Sequence, residues 1–290
     1  MKISGFFVVI ILSFLTVNVQ AQLFWRVSGN GLEKPSYLFG THHLIEKDKI
    51  ADFDKITAFI PQTDVVVGEM NMNHKLSMQF KLLKACMMKD STIHDLITPA
   101  EYVLVDSCLK EVVGKGLNKL GRLKPIMLST MYELMLYMKH NNIKHEPEAV
   151  DIVIQNYCKK AKKKIIGLET IDQQINMLFN SSSLKHQAEG LVELTKDKEK
   201  LLKSIDELNQ AYLKGDLNAL MKLSDEEQLM DENEIKIIIT DRNINWVGQL
   251  TQLMPEKSCF VAVGCLHLAG EKGLVTLLKN AGYTVEPVVL

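Results

Sequence analysis

Four apolar runs along the chain finish alike, on a glycine followed at once or shortly by a histidine or a glutamate. They are Ser36-Tyr-Leu-Phe-Gly-Thr-His-His-Leu44, Asp64-Val-Val-Val-Gly-Glu-Met70, Lys164-Ile-Ile-Gly-Leu-Glu-Thr170 and Ser258-Cys-Phe-Val-Ala-Val-Gly-Cys-Leu-His267. Short continuous runs without polar alternation predict strands buried on both faces of a sheet. Leu23-Phe-Trp-Arg-Val-Ser28 alternates instead, and the turn residues between it and Ser36 predict a hairpin. Helices are expected over 47–60, stopped by Pro61, over most of 76–140, over 149–163, over much of 172–252 and over 274–280. Thr98-Pro-Ala-Glu101 has the order of a helix start. Leu191, Leu194, Leu201, Ile205, Leu208 and Tyr212 keep a spacing that predicts an exposed helical hairpin. Residues 284–289, carrying Pro287, fit an edge strand. The sum is an α/β fold of α+β-like mixture: a central mixed sheet, flanking helices and a helical middle. It is read as one domain over 22–290 with a helical insertion at about 76–147.

Composition narrows the function classes. The 34 basic and 35 acidic residues among 290 leave a net charge of −1, which offers no electrostatic footprint for nucleic acid. Residues 1–21 have the order of a secretory signal: Lys2, an apolar run from Phe6 to Leu15, and small residues Val19 and Ala21 before the cut. The run approaches the roughly 20 apolar residues of a spanning anchor, but the small residues at the cut favour cleavage. The expectation is export to the periplasm or beyond, with no membrane contact other than through this segment. Cys86, Cys108, Cys158, Cys259 and Cys265 are odd in number and irregular in spacing, so they read as packed thiols, not a disulfide framework.

The candidate chemistry sits at the strand ends, where α/β sheets hold ligands. Gly40-Thr-His-His-Leu44 and Gly264-Cys-Leu-His-Leu268 share Gly-x-x-His-Leu, which pairs His43 with His267. Imidazole and carboxylate together suit zinc, manganese, cobalt or iron, and a bound divalent ion generates a hydroxide nucleophile near neutral pH. His43, His267 and Glu69 are the expected ligands, with Glu169 as a fourth ligand or general base. Arg242 either holds a substrate carboxylate or oxyanion, or forms an ion pair with Glu69 or Glu169. Taken singly, each residue is more simply a helix cap or a salt-bridge partner; four such strand ends together favour one shared site. His42 is expected to face away from His43, since neighbours in extended chain alternate. His74, His94, His140, His145 and His186 read as surface residues, and Cys265 as packing. The methionines at 127, 131, 135 and 138 read as a packed helix face, and the lysines from 159 to 164 as a solvated helix end. No Gly-x-Ser-x-Gly, Walker loop, dinucleotide fingerprint or His-Glu-x-x-His occurs.

At these residues the sequence resembles the TraB/GumN/Tiki family. The features are Pro35-Ser-Tyr-Leu-Phe-Gly-Thr-His-His43, Val65-Val-Val-Gly-Glu69, Gly167-Leu-Glu-Thr170 with Gln173 or Gln174, Asp241-Arg-Asn243, and Phe260 to Gly270 running on through Gly282-Tyr-Thr-Val-Glu-Pro287. The resemblance implies an α/β fold related to erythromycin-esterase-like and ChaN-like proteins. For animal Tiki members it implies metal-dependent proteolysis that requires the Gly-x-x-His histidines and the strand-end glutamate. Carried over, these are His43, His267 and Glu69, with Glu169 and Arg242 in support; His42 departs from the apolar residue common at its position. The expected function is a secreted metal-dependent hydrolase, most simply a peptidase, acting on a peptide or small molecule with a divalent ion such as manganese, cobalt or zinc. The alternative is a non-catalytic protein of the same fold that binds haem, metal or a peptide.

Overall fold

The computed structural model describes residues 23–72, 75–226 and 232–290. The secretory segment expected at 1–21 and His74 lie outside the described residues.

Six strands form one sheet: β1 Phe24–Ser28, β2 Ser36–Thr41, β3 Val65–Met70, β4 Lys164–Glu169, β5 Cys259–Gly264 and β6 Thr284–Pro287. Their order across the sheet is β4-β3-β5-β2-β1-β6. The first four in that order run parallel, and β1 pairs antiparallel with both β2 and β6. The mixed sheet follows from the sequence pattern. Alternating β1 closes a hairpin with β2, whereas β2 and most of β5 are buried throughout because helices cover both faces. Because β2, β3, β4 and β5 are mutually parallel, all four glycine-ending motifs emerge at the same edge of the sheet. That single topological fact brings the distant motifs together.

The helices are α1 Phe53–Thr57, α2 Lys75–Ala85, α3 Pro99–Val113, α4 Leu117–Leu120, α5 Pro125–His140, α6 Val150–Lys160, α7 Ile171–Asn180, α8 Leu184–Lys196, α9 Lys198–Leu213, α10 Leu217–Glu226, α11 Glu232–Ile235, α12 Asp241–Leu253 and α13 Leu274–Asn280. The start expected at Thr98 is a complete capping box with Glu101. Residues 47–60 depart from expectation: instead of one helix they make two short 3-10 turns around α1, because Asp52 takes a left-handed conformation (φ 55°) that no helix interior admits. The hairpin expected to be exposed over 191–213 is also corrected. Asp197 joins α8 to α9 and caps α9, but Leu191, Ile205 and Tyr212 are buried, so the pair is not exposed. The heptad spacing marks helices packed on a core, not a solvated arm.

Two apolar cores result. One surrounds the sheet; the other joins α3, α5 and α8 through Val105, Leu109, Leu128, Tyr132, Leu136 and Leu191. The helical middle therefore packs on α8, beyond the limit at 147 read from the sequence. On α5, Leu128, Tyr132 and Leu136 are buried in this second core; Met135 lies beside them and Met127, Met131 and Met138 are half-buried. All five cysteines are free thiols.

Candidate active site

At the sheet edge the spatial order of the motifs is Glu169, Glu69, His267, His43, following the strand order β4-β3-β5-β2. Close backbone approach explains two of the glycines. A Cβ on Gly40 would lie 3.0 Å from Cys265 and Leu268, and one on Gly167 would lie 2.7 Å from the Asn71 nitrogen. Gly68 and Gly264 have ordinary room.

Arg242, in the first turn of α12, occupies the centre. Nε donates to Glu169 Oε1 (2.8 Å), Nη2 to Glu69 Oε2 (2.6 Å) and Glu169 Oε2 (3.1 Å), and Nη1 to the Ile238 carbonyl (3.0 Å) and His267 Nε2 (2.9 Å). These use all five guanidinium N–H groups. The Ile238 carbonyl is accessible because Lys236–Thr240 forms a π-turn. Arg242 also stacks over Trp246, 4.5 Å from the ring centroid. Of the two sequence readings for Arg242, the ion pair is therefore the one realised, with no donor left for a substrate anion.

Glu169 is equally committed. Its oxygens accept from Arg242 twice over, from Trp246 Nε1 (3.0 Å) and from Gln174 Nε2 (3.0 Å), which fills a carboxylate's four acceptor sites. Its side chain is 8% exposed. The turn that delivers it is fixed by α7's capping box, in which Thr170 and Gln173 bond reciprocally. Gln173 is thus the cap, and Gln174 bridges Glu169 to Glu69 Oε2 (3.2 Å).

Glu69 keeps spare capacity. Among the described residues Oε1 accepts only the Gly264 N–H, at 2.9 Å, and the side chain is 21% exposed. Burial pushes its pKa up, but His267, Arg242 and the Gly264 N–H outweigh that and hold it below the usual carboxylate value.

His267 is 4% exposed. Asn243 Nδ2 donates to the carbonyls of His267 and Lys272, which leaves Asn243 Oδ1 to accept from His267 Nδ1–H at 2.7 Å. Nε2 is then the bare nitrogen that Arg242 reaches. Burial, and beyond it the Arg242 charge, lower the imidazole pKa to about 4, against an opposing pull from Glu69.

The two histidines of the Gly-Thr-His-His motif have different surroundings, and His267 is not among the residues that line the His43 cavity. His43 lines a cavity of about 200 Å³ together with Glu69, and its imidazole is 71% exposed. His42 turns to the Tyr212 ring, 5.0 Å between centroids, and burial followed by the neighbouring His43 lowers its pKa to about 4. His43 Nδ1 lies 3.2 Å from Asp151 Oδ2, an oxygen with no other hydrogen-bond partner among the described residues. Thr41 fixes the other oxygen, donating to Asp151 Oδ1 at 2.7 Å. Contact with Asp151 raises the His43 pKa.

Asp151 was not legible in the sequence as a site residue. An acid in the first turn of α6 reads equally as a helix-dipole partner. Gln155 was also missed. One turn further along α6, it donates to the Met70 carbonyl (2.8 Å) and accepts from the Met72 N–H (2.9 Å), tying α6 to the exit of β3. Gln155→Leu should destabilise the fold by about 1–3 kcal/mol by leaving these groups unsatisfied, seen as a lower urea midpoint at unchanged slope.

The ligand set read from sequence does not fit a divalent ion as the side chains are arranged. His267 Nε2 faces a guanidinium nitrogen, Glu69 Oε2 already accepts from Arg242 and Gln174, and no group of three or more His, Cys, Asp or Glu side chains among the described residues is placed to hold a metal. The position among Glu69, Glu169 and His267 is filled by Arg242.

A parallel-stranded α/β protein with its polar cluster at the carboxyl edge of the sheet is the class this geometry defines. Residues 23–287 match the TraB/PrgY/gumN family, and the chain belongs to it. No curated protein and no solved structure matches the chain.

Proposed function

We propose that this chain is a hydrolase of acyl bonds, most simply a peptidase acting outside the cytoplasm, in which His43 is the general base. The observation that carries the reading is His43 set against Asp151 at a cavity that Glu69 also lines. With Nδ1 turned to Asp151, Nε2 is left to take a proton from water and return it to the leaving group. Glu69 contributes its free Oε1 acceptor capacity to position that water. Arg242, Glu169, Gln174 and His267 act through Glu69 and serve as positioning residues. A divalent ion, where bound, supplies an activated water; the chain's own residues account for proton movement and orientation here.

The test is cleavage of a peptide mixture by the purified protein, followed by mass spectrometry. His43→Ala should lose about 10²–10⁴-fold in rate. Asp151→Asn should also shift the pH profile. Neutral His43 is the active form and Asp151 raises its pKa, so removing that charge moves the onset of activity to lower pH while reducing its maximum. Cleavage by His43→Ala at the wild-type rate would sink the reading. Activity lost to a chelator and restored by manganese, cobalt or zinc would instead return His43 and Glu69 to the role of ligands. Tight binding of peptide, haem or metal with no product under any condition supports the binding-protein alternative.

A further inference from the structure

The cavity beside His43 is lined largely by apolar residues. Val66 and Val67 of β3, Met70 and Met72 at the β3 exit, and Ala149 and Ile152 at the start of α6 are among them. The titratable groups that line it are His43, Glu69 and Asp151, the same three to which the chemistry is assigned. The other two polar side chains are already engaged. Gln155 bonds both Met70 and Met72, and Gln174 bonds both glutamates. Away from those three titratable groups, a polar group entering the recess meets apolar side chains and two amides that are already engaged, and an unpaired buried polar group costs about 1–3 kcal/mol. The volume of about 200 Å³ exceeds the roughly 150 Å³ of an aliphatic cavity that takes up benzene, so one branched aliphatic or phenyl group fits.

We infer that this recess is the specificity pocket: it takes a single large apolar side chain, of the leucine, methionine or phenylalanine type, and so sets the adjacent acyl bond against His43 and Glu69. The inference rests on the hydrolase reading for what happens at the rim, but not for what the recess binds. A pocket built this way discriminates by buried methylenes, each worth roughly 10–200-fold in kcat/KM.

The experiment uses the full chain and peptides of one sequence that differ at one central residue: Gly, Ala, Leu, Phe, Asp or Lys. Cleavage beside Leu and Phe should exceed cleavage beside Gly by at least about tenfold, with Asp, which would face the Glu69 and Asp151 carboxylates, lowest. Two filling variants, Ile152→Trp and Ala149→Leu, should lower the Leu-to-Gly and Phe-to-Gly ratios; circular dichroism checks that each is folded. An unchanged Leu-to-Gly ratio in both folded variants overturns the inference. Calorimetric titration of the same peptides into His43→Ala separates the two proposals. Without any turnover in the wild type, Leu-peptide binding that the filling variants abolish keeps the pocket and sinks the hydrolase. Equal binding of Leu and Gly peptides sinks the pocket.

Discussion

Arg242→Met should destabilise the protein by about 3–5 kcal/mol at pH 7, the loss expected when one partner of a buried charge network is removed. The reason is what stays behind. Glu69 and Glu169 both bond the guanidinium, and both bond Gln174, so without Arg242 two neighbouring carboxylates keep the Gln174 amide, the Trp246 indole and the Gly264 N–H but no cation, in a pocket where Glu169 is 8% exposed. The pH dependence gives the test its direction. In the wild type the Glu69 pKa is held down, so its contribution is present above the unfolded value of about 4.3 and lost as the pH falls below it. In the variant, burial and the neighbouring carboxylate raise the folded pKa above the unfolded one, a penalty at pH 7 that protonation relieves. The gap between variant and wild type should therefore narrow from pH 7 to pH 5 in urea unfolding. Arg242→Lys keeps the charge but offers three donors where five are used, and should fall between the two. A loss under about 1 kcal/mol at pH 7 in Arg242→Met would show that the network does not hold the strand ends together.

The same network explains why part of the site was legible in the sequence and part was not. The strand-end motifs at His43, Glu69, Glu169 and His267 declare themselves locally, since a buried run followed by glycine and a polar residue is a pattern of near neighbours. Parallel pairing of β2, β5, β3 and β4 then puts them on one edge. What near neighbours cannot convey is which polar group meets which. Arg242 lies 73 positions from Glu169 and 173 from Glu69, so no local pattern announces that one guanidinium meets both carboxylates. Asp151 is hidden for the same reason, 110 positions from Thr41. In the fold, the strands and the capping box at Thr98 were read correctly because their signals are short-range. The burial of 191–213 was not, because a heptad stripe looks the same whether it packs on a partner within the chain or stands apart.

His267 makes the protein acid-sensitive, and His267→Gln should reduce that sensitivity. In the folded state the imidazole is neutral down to about pH 4, because burial and Arg242 oppose its protonation, whereas unfolded histidine titrates near 6.5. Between those values the unfolded chain binds the extra proton. Stability therefore falls as the pH drops from about 6.5 to 4, by ~3 kcal/mol for a shift of this size at 1.36 kcal/mol per unit. The groups facing His267 do not cancel this: Glu69 favours the proton but is itself tied to Arg242, and Trp246 stacks on the ring at 4.4 Å without charge. His42, its pKa also lowered to about 4, acts in the same direction. His43 acts oppositely, since its raised pKa contributes stability below about 6.5 that is lost as the pH rises through the folded value, but at 71% exposure its effect is screened. Urea midpoints at half-unit steps from pH 7 to pH 4 supply the check. Whatever fixed loss His267→Gln carries at pH 7, its stability should decline less steeply across that window than the wild type's. Parallel curves for the two proteins would mean that the His267 imidazole takes up its proton in the folded state, and that Arg242 moves away from Nε2 to let it.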